Sequence, residues 1–76
     1  MGRRLGVNTK NTDCDELTRL ARKCGFVVFH GGRHDKVKTR DGRTVTTIPR
    51  KNKIKRETAK GIVEQFVLFG AEIEIN

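Results

Sequence analysis

The fold of this chain is decided by residues 31–43, which read Gly31-Gly32-Arg33-His34-Asp35-Lys36-Val37-Lys38-Thr39-Arg40-Asp41-Gly42-Arg43. Asp41-Gly42 predicts a tight hairpin turn of type I′, which requires positive φ at both central residues. A turn at this point pairs a strand over residues 33–39 with a strand over residues 43–48. Pro49 ends the second strand because proline has no backbone N–H to donate to a ladder.

Side-chain alternation divides the first of these strands between two faces. His34, Lys36 and Lys38 fall on one face, and Asp35 and Val37 fall on the other. Val37 is expected to point into the core. The imidazole of His34 therefore lies in a row with two ammonium groups on the face away from the core, and this row is the candidate functional surface.

The second strand contains a mismatch in this pattern. Ile48 shares the face of Val37 in the register that the turn defines, whereas Val45 falls on the opposite face. The mismatch is compatible with a β-bulge, in which one strand carries an extra residue.

The net charge of +8 is concentrated in one segment of the 76-residue chain. Residues 33–60 hold 11 of the 17 lysine and arginine side chains and three of the nine acidic ones, so this segment carries the whole excess. A single basic segment suits a polyanion, and RNA or DNA is the usual one. A membrane is disfavoured, because no apolar run approaches the ~20 residues that a span requires.

Two helices are predicted, one on each side of the strands. Asp13 and Glu16 form an acidic capping box that starts a helix over residues 13–24, and Gly25 supplies its left-handed stop. A second helix starts at Lys55 or Thr58 and is closed by Gly70. Its apolar residues recur at helical spacing and form one stripe that faces the sheet: Ala59, Ile62, Val63, Phe66 and Val67.

Residues 26–30 predict a further strand, which reads Phe-Val-Val-Phe-His. Because four consecutive side chains are apolar, Val27 and Phe29 are left toward solvent or a partner. Ordinary scatter of exposed apolar side chains is one explanation, and a protein-docking surface is the other.

These elements make one domain with a small core. Residues 1–11 are expected to be a flexible basic N-terminus, residues 12–70 the single domain, and residues 71–76 a C-terminal tail or short strand. The order is helix, three-stranded antiparallel meander, helix, with both helices on one face of the sheet. This α+β arrangement, α-β-β-β-α, is that of a double-stranded-RNA-binding fold.

The two cysteines do not predict a disulfide or a metal site. Cys14 and Cys24 lie ten residues apart on one predicted helix, about 15 Å at 1.5 Å per residue, which is too far for a disulfide. Their spacing matches no zinc pattern, with or without the histidines. No hydrophobic segment of a secretory signal follows Arg3 and Arg4, so the chain is expected to be cytoplasmic.

Several short motifs follow one another in a characteristic order. A leucine-bearing first helix precedes four tripeptides: Cys24-Gly25-Phe26, Gly32-Arg33-His34, Asp41-Gly42-Arg43 and Ile48-Pro49-Arg50. In this order, over residues 14–68, the chain resembles the HicA-type (YcfA-like) toxins of bacterial toxin-antitoxin modules, which are small mRNA interferases. Arg33 stands where that family usually has serine, and Asp35 where many members have a second histidine or an aromatic residue.

The resemblance implies a metal-independent ribonuclease that cleaves mRNA without a cofactor. Its one required histidine corresponds to His34. It also implies a HicB-type antitoxin that blocks the site, and Val27 and Phe29 are the candidate contacts for such a partner.

The chemistry of RNA cleavage fits the row of three polar side chains. The ribose 2′-OH attacks the adjacent phosphate once a base removes its proton, and imidazole, with an ordinary pKa of about 6.5, suits that transfer. Lys36 and Lys38 are placed to hold the phosphate, with Arg33 a third cation. The leaving 5′ oxygen takes its proton from His30, a lysine or water, and the sequence does not choose among them.

The other cations of the basic segment are expected to contact phosphates without reading bases. They are Arg40, Arg43, Arg50, Lys51 and Lys53. Two alternatives to a nuclease stay open: a non-catalytic RNA-binding module that uses the same face, and a protein-interaction domain in which the charge only aids solubility.

Overall fold

The computed structural model describes residues 5–7, 12–71 and 73–75. Within these ranges the elements are β1 (Leu5–Val7), α1 (Cys14–Lys23), β2 (Val27–His30), β3 (His34–Lys38), β4 (Thr44–Pro49), α2 (Arg56–Leu68) and β5 (Ile73–Ile75). β2, β3 and β4 form an antiparallel sheet in that order, and β1 pairs in parallel with β5. The order α1-β2-β3-β4-α2 confirms the predicted α-β-β-β-α fold of the α+β class.

The helix ends follow the predicted signals. The carboxylate of Asp13 accepts a hydrogen bond from the backbone N–H of Glu16 at 2.8 Å, so it caps the start of α1. Gly25 and Gly70 follow the two helices with φ of 88° and 98°, a conformation that side chains other than glycine rarely adopt. α2 begins at Arg56 after Lys55, the first of the two predicted starts.

Both helices pack on one face of the three-stranded sheet, here called the inner face. The fully buried apolar side chains there come from both helices and from β3 and β4, and the largest are Leu17, Val37, Ile48, Val63 and Phe66. The predicted stripe of α2 is correct except for Val67, which is 43% exposed. Val67 lies about 80° around the helix from Ala59, at the edge of the stripe, where the sheet no longer covers it.

The β3–β4 hairpin has the predicted bulge but not the predicted turn. The pairing passes from Val37 opposite Thr46 to Lys38 opposite Thr44, so Val45 is the extra residue and becomes buried. The type I′ turn was a wrong prediction, because Gly42 has positive φ and Asp41 does not.

A three-residue loop replaces the predicted two-residue turn. The backbone N–H of Thr39 donates to the carbonyl oxygen of Arg43 at 2.8 Å, and the N–H of Gly42 donates to that of Thr39 at 3.0 Å. The side chain of Thr39 also binds the Asp41 carboxylate and the Arg43 N–H. These local bonds favour a loop in which glycine alone takes the left-handed conformation.

The chain termini contribute a second, two-stranded sheet. Leu5–Val7 forms a strand within the segment predicted to be flexible, and it pairs residue by residue with Ile73–Ile75. The C-terminal segment thus contains the short strand that was one of its two predicted states. The rest of the predicted N-terminal segment, residues 1–4 and 8–11, lies outside the described residues.

Candidate nucleic-acid interface and the cluster beneath it

The outer face of the sheet, opposite the helices, carries the predicted row. His34, Lys36 and Lys38 alternate along β3 with two buried residues, so their side chains leave the sheet on its uncovered side. The register sets Phe29 opposite Lys36 and Val27 opposite Lys38. The row is therefore flanked by apolar side chains of β2.

Phe29 is the largest apolar side chain on this face and is 52% exposed. The ammonium of Lys38 lies 5.7 Å from the centre of its ring, within the range of a cation-π contact. Val27 is 36% exposed beside them. The outer face therefore combines positive charge with exposed apolar surface.

The structure places some of the predicted phosphate-binding cations near His34. Arg33 lies in the turn before β3, and Arg50, Lys51 and Lys53 lie on the loop after β4. Because His34 is paired with Pro49, this turn and this loop meet at one end of the sheet.

Arg40 and Arg43 lie at the other end of the hairpin, beyond Lys38, the last residue of β3, which is itself about 13 Å from His34 at ~3.3 Å per residue. Arg43 contacts Asp41 at 3.3 Å and its guanidinium lies 5.7 Å from the ring of Phe69. The structure does not bring these two arginines to His34.

The inner face carries an ionic cluster at the end of the sheet where His34 lies. It comprises Asp35, His30, Cys14 and Arg50 and is here called the Asp35 cluster. Asp35 is a buried carboxylate with 2% of its surface exposed. Its Oδ2 accepts hydrogen bonds from His30 Nδ1 and from the Cys14 thiol, both at 3.2 Å. Its Oδ1 has no hydrogen-bond partner among the described residues and lies 3.7 Å from Arg50 Nε. The cluster lines a polar cleft of about 260 Å³ beside the start of α1.

The ring of His30 has a defined orientation. Its Nε2 lies 3.0 Å from the guanidinium of Arg22 on α1, and a guanidinium can only donate. Neutral His30 therefore carries its proton on Nδ1, from which it donates to Asp35. In this state His30 connects α1 to the buried carboxylate.

Two pKa shifts follow from this arrangement. Burial by itself would raise the pKa of Asp35, but hydrogen bonds from Cys14 and His30, the charge of His30 when its ring is protonated, and the charge of Arg50 lower the pKa below its ordinary value. Burial, together with the hydrogen bond to Asp35 and the nearby negative charge, raises the pKa of the Cys14 thiol to about 12. Cys14 is therefore a protonated hydrogen-bond donor at neutral pH and a poor nucleophile.

Sequence reasoning missed this cluster, although one signal pointed to it. Alternation placed Asp35 on the core face, and a buried carboxylate requires partners. His30 lies directly across the Gly31-Gly32 turn from Asp35. Cys14, which contacts Asp35, and Arg22, which contacts His30, both come from α1, and no local pattern identified them as neighbours of this pair.

No candidate metal centre or membrane span occurs in the part of the chain that the structure describes. Residues 5–7, 12–71 and 73–75 contain no group of three or more histidine, cysteine, aspartate or glutamate side chains that could hold a metal ion. Within the same ranges no helix has the length and apolar character to cross a membrane.

The fold and the exposed row define a small α+β domain of the α-β-β-β-α type with a basic outer sheet face. The family model described as HicA toxin of bacterial toxin-antitoxin matches residues 14–68. The chain therefore belongs to the HicA toxin family, which confirms the resemblance. Comparisons with curated proteins and with solved structures gave no match.

Proposed function

We propose that this protein is an endoribonuclease that cleaves mRNA in the cytoplasm, as the toxin of a toxin-antitoxin pair, without a metal ion. The observation that supports the proposal best is the row of His34, Lys36 and Lys38 on the uncovered face of the sheet, within the segment that matches the family. An exposed imidazole beside two cations can exchange a proton with RNA while its phosphate is held.

The proposed reaction is an internal displacement. His34 removes the proton of a ribose 2′-OH, and the oxygen attacks the adjacent phosphorus. The bond to the 5′ oxygen of the next nucleotide then breaks, and that oxygen takes up a proton. The products are a 2′,3′-cyclic phosphate and a free 5′-OH, so the RNA supplies its own nucleophile and no oxidant or cofactor is consumed.

Lys36 and Lys38 are proposed to hold the reacting phosphate, and Arg33, Lys51 and Lys53 to bind its neighbours. Arg40 and Arg43 would extend the contact toward the far end of the hairpin. Arg50 was also predicted to bind RNA, and its guanidinium is half-exposed, but that group already holds Asp35 and the carbonyl oxygen of Gly31.

A HicB-type antitoxin is the proposed protein partner. Val27 and Phe29 offer it an apolar surface directly beside the histidine row. A protein bound there would cover His34 and exclude RNA, so one surface would serve both substrate and inhibitor.

The test is cleavage of a defined transcript by the purified chain, freed of any bound inhibitor, in the presence of a metal chelator. We expect fragments that end in a 2′,3′-cyclic phosphate, and no fragments from the His34→Ala variant. Intact RNA with the wild-type chain, or cleavage that depends on an added metal ion, would contradict the proposal.

A second candidate, an RNA-binding module without catalysis, has one observation in its favour. Among the residues that the structure describes, no side chain forms a hydrogen bond with the His34 imidazole, whereas a catalytic histidine is commonly oriented by a second group. A binder predicts that His34→Ala keeps both its RNA affinity and its effect on growth. A nuclease predicts that the variant still binds RNA and loses the growth effect.

A further inference from the structure

The turn between β2 and β3, which leads directly into His34, has a constrained backbone. The N–H of Gly31 donates to the carbonyl oxygen of His34 at 3.1 Å, which closes the loop between β2 and β3. A Cβ at position 31 would overlap that carbonyl oxygen, so glycine alone fits there. The position of His34 therefore depends on how the two residues between it and Gly31 are held.

Arg50 holds this turn at two points. Its backbone N–H donates to the carbonyl oxygen of Arg33 at 3.0 Å, and its guanidinium donates to the carbonyl oxygen of Gly31, also at 3.0 Å. The two acceptors lie on either side of Gly32. A single residue thus ties the loop after β4 to the turn before β3.

Asp35 in turn holds Arg50. Its Oδ1 lies beside Arg50 Nε, while Oδ2 is occupied by His30 and Cys14. The carboxylate is therefore fixed from α1 and β2 at one oxygen and faces the guanidinium with the other. Because Asp35 follows His34 directly in the chain, the same group anchors the strand on which His34 stands.

We infer that Asp35 and Arg50 are positioning residues that fix the backbone of the His34 turn from the inner face of the sheet. The inference rests on the proposed function for its catalytic consequence. It assigns Arg50 a role other than phosphate binding. Its guanidinium joins the carbonyl oxygen of Gly31 to the carboxylate of Asp35, and this connection is more important than its charge. Lysine keeps the charge of arginine but lacks the planar fork that reaches both groups.

The experiment compares Arg50→Ala, Arg50→Lys and Asp35→Asn with Lys60→Ala, which removes an exposed cation of α2. The first readout is amide hydrogen exchange at Gly31 and Arg50, whose N–H groups bond within this network. We expect faster exchange at both amides in the first three variants and no change in the Lys60 variant. Thermal unfolding identifies any variant that is not folded, and Arg50→Lys is the mildest of the set.

The second readout is the kinetics of cleavage of a single-stranded RNA oligonucleotide, per folded molecule. A misplaced catalytic group lowers kcat, so Arg50→Ala and Arg50→Lys should both lose about 10- to 100-fold in kcat. KM should stay within about threefold, because binding of the remaining RNA is retained. A phosphate contact predicts the reverse pattern, a raised KM for Arg50→Ala and nearly normal kinetics for Arg50→Lys.

Failure of the inference and failure of the proposed function give different results. If wild-type protein cleaves RNA, His34→Ala does not, and the Arg50 variants keep normal kcat, the inference is wrong and the proposed function stands. If exchange at Gly31 and Arg50 is unchanged in Arg50→Ala, the inference is wrong whatever the activity. If the wild-type chain cleaves nothing, the proposed function fails. Faster exchange at Gly31 and Arg50 in the variants would then show that Asp35 and Arg50 stabilise the turn without a catalytic role.

Discussion

The two faces of the three-stranded sheet differ in how their polar groups are held. On the outer face His34, Lys36 and Lys38 stand on uncovered surface, and the imidazole has no hydrogen-bond partner among the described side chains. On the inner face Asp35 is buried and His30 is held between a carboxylate and a guanidinium. Adjacent residues of one strand thus enter opposite environments. The outer face is thus open to solvent, whereas the polar groups of the inner face are held by contacts with one another.

The variant His34→Ala is expected to have the largest effect, because it should abolish most of the cleavage and leave the free energy of unfolding almost unchanged. General acid-base catalysis contributes about 10²- to 10⁴-fold, so cleavage should fall by that factor. The free energy of unfolding should change by less than about 0.5 kcal/mol, because the ring is exposed. Cleavage assays and urea unfolding of the same preparation measure both quantities. A large loss of stability would show that the outer face is also structural.

His30→Ala should give the opposite result for stability. It removes one of the two hydrogen bonds to Asp35 Oδ2 and leaves the buried carboxylate less well satisfied, at a cost of about 1–2 kcal/mol. Urea unfolding measures the loss. His30→Asn is the matched variant, because its side-chain amide N–H₂ can replace the Nδ1–H group as the donor to Asp35 and restore part of the stability. Equal stability of the wild type, His30→Ala and His30→Asn would show that the polar groups of the inner face are no more important for stability than those of the outer face.

Lowering the pH should reduce the stability of the folded chain through Asp35 on the inner face. Its pKa is lower in the folded chain than the ordinary value of 3.8, so the unfolded chain binds the proton more tightly. Its contribution to stability is therefore complete above about pH 5 and is lost as the pH falls below about 4 through the folded-state pKa. The charged or titratable groups that face it are Cys14, His30 and Arg50.

Unfolding free energies of wild type and Asp35→Asn, measured from pH 6 to pH 2.5, test this expectation. The difference between the two proteins should shrink on acidification. A constant difference would mean that the carboxylate has the same pKa in both states.

The smallest effects are expected from single lysines of the outer face. Lys36→Ala and Lys38→Ala should each reduce the slope of log affinity against log salt by about 0.7 for single-stranded RNA, if each neutralises one phosphate. Lys60→Ala on α2 is the control and should keep the wild-type slope. An unchanged slope in both outer-face variants would place the RNA elsewhere.

The features that the sequence predicted correctly are local ones. Alternation along residues 34–38 assigned each side chain of β3 to the correct face, and the position of Val45 signalled the bulge. Capping by Asp13 and the stops at Gly25 and Gly70 follow from short-range hydrogen bonds and backbone conformation. These features depend on residues within a few positions of one another, so the sequence determines them.

Only the tertiary structure decided which distant groups meet. Two partners of Asp35 come from α1 and from the loop after β4, and nothing in the spacing of Cys14 and Arg50 identified them as its neighbours. The pairing of Leu5–Val7 with Ile73–Ile75 likewise joins the two ends of the chain. Periodicity determines the face on which a side chain lies, but its neighbours across that face are set by how the helices pack on the sheet.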